Sequence, residues 1–60
     1  MSTVYNPESE MVAQIERLDS EARDLRRKIE HVHNENDRRA MTRLLKELAE
    51  EIANLQARLP

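Results

Sequence analysis

The sixty-residue chain contains no cysteine, no glycine, and only two prolines, Pro7 and Pro60. Each absence excludes something. Without cysteine there are no disulfides and no thiolate-based zinc or redox sites. Without glycine there is no glycine-rich phosphate loop, and the residue that takes a left-handed turn at least cost is missing. Tyr5 is the only aromatic residue, so there is no ladder of rings on which nucleic-acid bases could stack. No apolar run approaches the ~20 residues that cross a bilayer. The start, MSTVYNPESE, has neither a basic nor an apolar leader segment, and the expectation is a cytoplasmic protein without a membrane span.

What remains is a helix-forming composition. Charged residues make up 37% of the chain, mixed in sign, among many Ala, Leu, Glu and Arg. The sequence therefore predicts an all-α protein. A chain this short buries only about 60% of the surface its unfolded form exposes. With disulfides excluded, self-association is the available remedy.

Two apolar seams run along it. Met11, Ile15, Leu18, Ala22, Leu25, Ile29 and Val32 alternate spacings of four and three. Met41, Leu45, Leu48, Ile52, Leu55 and Leu59 repeat that rhythm, and Leu44 with Ala49, Ala53 and Ala57 is read as widening the second face. Between the seams the rhythm fails. A continuous heptad after Val32 would place Asn36 and Arg39 in the core, an offset that one stutter or stammer does not absorb. The stretch NEND supplies turn and cap formers there. The division predicted is a flexible N-terminus over 1–6, a first helix over 7–34, a turn over 35–37 with Asp37 as the N-cap, and a second helix over 38–59. Asn6 and Pro7 make a good helix start.

The expected architecture is an antiparallel helical hairpin that dimerises into a four-helix bundle. A fold-back near residues 36 and 37 sets Leu25 against Leu48. The alternative is a single long helix forming a coiled-coil rod with a structural role. Against the hairpin stand the missing glycine and the two cations Arg38 and Arg39, which a helix N-terminus disfavours. In outline such a hairpin resembles small bacterial hairpins that bind RNA or regulate larger proteins. That likeness of shape implies an interaction role and no chemistry.

Charge is distributed by region. Residues 1–22 carry one base and five acids, residues 23–46 eight bases and four acids, and residues 47–60 one base and three acids. In a hairpin the turn end is positive and the open end negative. Two hairpins packed antiparallel then place opposite charges together.

Candidate sites are few. Arg23 and Arg27, with Arg39, Arg43 and Lys46, form a basic patch at the turn end, suited to phosphates or to an acidic partner. The acidic overall balance, net −2, and the lack of rings weigh against nucleic acid. His31 and His33 form an H-x-H pair with Asp37 nearby, but residues two apart on a helix diverge by about 200° and do not share a metal. No hydroxyl stands beside an obvious base. No catalytic residue, cofactor or metal is expected. The function expected is that of a non-enzymatic helical adaptor that homodimerises and docks to a larger protein. A nucleic-acid-binding hairpin dimer is the second reading.

Overall fold

Asn6 opens the first helix of the computed structural model, which describes residues 6–60. Its side-chain carbonyl accepts from the backbone N–H of Glu8 at 3.0 Å and of Ser9 at 3.4 Å. Those are two of the donors that a helix start leaves without a partner. Pro7 takes the first helical position, and Glu8 and Glu10 favour the positive end of the helix dipole. The expected flexible segment 1–6 lies, Asn6 apart, outside the described residues.

Helix α1 runs Pro7–His31 and helix α2 runs Glu35–Arg58. They pack against each other as a hairpin. The chain turns at Val32, His33 and Asn34, about three residues before the expected 35–37. The expected 7–34 and 38–59 are corrected accordingly, and the N-cap is Asn34 instead of Asp37. The Asn34 side chain accepts from Asn36 N–H at 2.9 Å and Asp37 N–H at 3.2 Å. Three features of the sequence follow from this shift. Glu35 and Asp37 now occupy the first turn of α2, where the dipole favours acids. Arg38 lies past the first turn, and its guanidinium donates to the Val32 carbonyl at 3.0 Å. That carbonyl is among those the end of α1 leaves unpaired. The third concerns the missing glycine. Val32 and Asn34 both have extended backbone, and no described residue has positive φ, so the turn needs none.

The hairpin measures 52 × 23 × 12 Å along its principal axes. A single helix over residues 7–58 would run about 78 Å at the α-helical rise. The continuous rod is thereby excluded.

The seams face each other, but the layer is thin. Only Ala22, Leu25 and Leu55 are buried. Met11, Ile15, Leu18, Ile29, Val32, Met41, Leu45, Leu48, Ile52 and Leu59 are half-buried. The small side chain of Ala22, 2% exposed, marks the tightest enclosure in the seam. Leu44, expected to widen the second face, is 47% exposed. It precedes Leu45 by about 100° of helical rotation and stands on the flank of the seam. Ala49, Ala53 and Ala57 are exposed as well. Steps of four residues rotate about 40° each around a helix, and the run drifts off the seam.

Candidate interaction surface

Domains ordinarily pack at least two layers of secondary structure around a core. This hairpin is one layer, and its seam is open along both flanks. Its accessible surface is 5155 Å². A folded monomer of its 7.1 kDa mass is expected to show about 4,100 Å². The chain thus exposes more surface than a compact monomer of its mass.

The two flanks differ. On one, an open groove of about 250 Å³ lies between the helices, lined by Glu21, Asp24, Leu25, Lys28, Leu44 and Leu48. Leu25 and Leu48, expected to face each other, share this groove. On the other flank stand the residues that follow the seam positions: Val12, Asp19 and Arg26 on α1, and Thr42, Ala49 and Gln56 on α2. Val12 is 42% exposed, the second large apolar side chain left open to solvent.

Helical rise puts Arg23, Arg27, Arg39, Arg43 and Lys46 in the half of the hairpin nearer the turn, within roughly 17 Å of it along the axis. All five are exposed. They are not equally free. Arg23 is bound to Asp19 at 2.6 Å, and Arg39 lies 3.6 Å from Glu35. Both are exposed pairs one helical turn apart, a geometry worth about 0.3–0.5 kcal/mol. Among the described residues these are the only ion pairs, which leaves Arg27, Arg43 and Lys46 without a carboxylate partner. Spacing along the sequence shows which residues share a helix face. It does not show that two of the five bases are already engaged. Aspartate or glutamate one turn before each arginine is the signal that was there to read.

His31 is the last residue of α1 and His33 lies in the turn, so the pair does not share a helix. No group of three or more potential metal ligands gathers among the described residues. No helix among them is long and apolar enough to cross a membrane. The chain matches no protein-family model, and neither curated proteins nor solved structures give a match.

Proposed function

We propose that this protein is a small, non-enzymatic helical interaction protein of the cytoplasm, which pairs with a second copy of itself and docks as a dimer to a larger protein. One observation carries this reading. The hairpin buries three side chains and leaves ten seam residues half-covered. A second hairpin laid on the flank that bears Val12 and Ala49 covers that side of the seam. Antiparallel apposition is favoured by charge, because the basic turn end of one protomer then lies beside the acidic open end of the other. The engagement of Arg23 and Arg39 with their own helices weighs against the nucleic-acid reading of the basic patch.

Sedimentation equilibrium of the full chain at micromolar concentration tests the self-association. The expected mass is twice the 7.1 kDa of one chain. A fully helical species of single-chain mass across that range removes the proposal.

A further inference from the structure

The groove flank carries a different chemistry from the flank assigned to self-association. Its floor is apolar: Leu25 and Leu48 belong to the seam, and Leu44 stands almost half exposed above them. Its rim is acidic. Glu21 and Asp24 line it directly. Glu47 and Glu51 follow Leu44 by three and seven residues and Asp37 precedes it by seven, so all three share its side of α2. Against these five carboxylates this side of the hairpin offers three bases: Lys28 in the lining, Arg17 one turn before Glu21, and Arg58 at the end of α2, seven residues beyond Glu51. None of the five carboxylates takes part in an ion pair among the described residues. An apolar strip between unpaired carboxylates is complementary to an apolar ridge flanked by cations.

A second copy is a poor occupant for this side. A two-fold axis through the groove would repeat Glu21, Asp24 and Glu47 against themselves, and like charges opposed across an interface cost affinity. We infer that the groove lined by Leu25, Leu44 and Leu48 is the docking site for a basic amphipathic helix of the larger partner protein. The occupant presents leucine-like side chains at positions i, i+3 or i+4, and i+7, with lysine or arginine on either side. Leu44 is the anchor of the contact. Glu21, Asp24, Glu47 and Glu51 select the sign of the ligand. This inference rests on the interaction role proposed above and names the partner that such a role requires. It assigns the two sides of the hairpin separate work, one for the second copy and one for the partner.

The probe is a fluorescent synthetic peptide of about five helical turns, with a leucine ridge and lysine flanks. Its control has glutamate in place of every lysine. Fluorescence anisotropy titrations with the full chain read the affinity. The lysine peptide is expected to bind at least about tenfold more tightly than the glutamate peptide, with an affinity that falls as salt rises. Leu44→Ala is expected to weaken binding by about tenfold or more, as loss of an interface anchor does. Glu21→Lys combined with Glu47→Lys is expected to abolish the preference for the basic peptide. Leu44 and both glutamates are exposed, so these variants keep the fold, and circular dichroism checks that they do. Equal binding of the two peptides, no binding of either, or a Leu44→Ala protein that binds as the parent does would each overturn the inference. Sedimentation of Leu44→Ala separates this inference from the proposed self-association. An unchanged dimer is expected, and a variant that falls to single-chain mass shows that the groove takes a second copy instead.

Discussion

Leu25→Asp is expected to abolish the cooperative thermal transition. Leu25 is 9% exposed, among the three best-covered side chains of the protein. The substitution removes a buried leucine and puts a carboxylate with no buried partner in its place. Loss of the apolar side chain alone costs about 2–5 kcal/mol at a buried site, and the unpaired charge adds to that. A chain of this length is held by only about 3–9 kcal/mol in total. Circular dichroism at 25 °C should show most of the helix signal lost. The same change at Leu48, half-buried at the edge of the groove, should be milder, because the carboxylate there can reach water. If Leu48→Asp proved the more damaging of the two, the core would not lie where the burial places it.

Leu55→Ala should lower the melting temperature far more than Leu44→Ala on the same helix. Leu55 is 8% exposed and Leu44 47%. Truncating a buried leucine costs about 2–5 kcal/mol, whereas a surface change costs within ~0.5 kcal/mol. For a domain of this size 1 kcal/mol corresponds to about 4–8 °C. Leu55→Ala is therefore expected to drop the midpoint by about 10 °C or more, and Leu44→Ala by only a few degrees. Comparable losses at the two positions would mean that Leu44 is part of the core.

Much of this fold is legible in the amino-acid sequence. The seam residues from Met11 to Leu59 are, Leu44 apart, all buried or half-buried, and among the described residues only Gln14 and Asp19 join them. Hydrophobic period carries that information directly, since a heptad interrupted once predicts two faces that must meet. The exact turn was not legible. HNEND holds three candidates for an N-cap within four residues, Asn34, Asn36 and Asp37, and composition does not rank them. What ranks them is the joint requirement that acids occupy the first turn and arginines leave it, which Asn34 alone satisfies. The seam spacing, which runs on to Val32, points the other way. Val32 continues the seam in space although its backbone is extended, because a side chain can pack inward from a turn. The apolar face is also narrower than the residue types suggest. Leu44 and the alanines at 49, 53 and 57 look apolar in a list of residues, but helical rotation carries them to the flanks or beyond. The difference between the flanks, one acidic with a leucine exposed and one mixed in charge, appears only once the two helices are paired.

The candidate surface was less accessible to sequence than the fold. Five basic residues in one region read as a patch. The structure shows Arg23 and Arg39 turned to carboxylates on their own helices, and the groove that now carries the docking inference lies among glutamates that composition alone gave no reason to single out. The groove depends on the relative placement of Leu25 and Leu44, nineteen residues apart in sequence and on different helices.

The central claim is that one thin layer of two helices is completed by a second copy. Thermal melts of the full chain over a hundredfold range of protein concentration test it most directly. If folding and pairing are coupled, raising the concentration a hundredfold adds about 2.7 kcal/mol per dimer by mass action. With the usual unfolding entropy for this number of residues, the midpoint is expected to rise by roughly 10 °C. A midpoint that stays constant over the whole range, for a protein that remains fully helical, would show that the hairpin stands alone and would contradict the account.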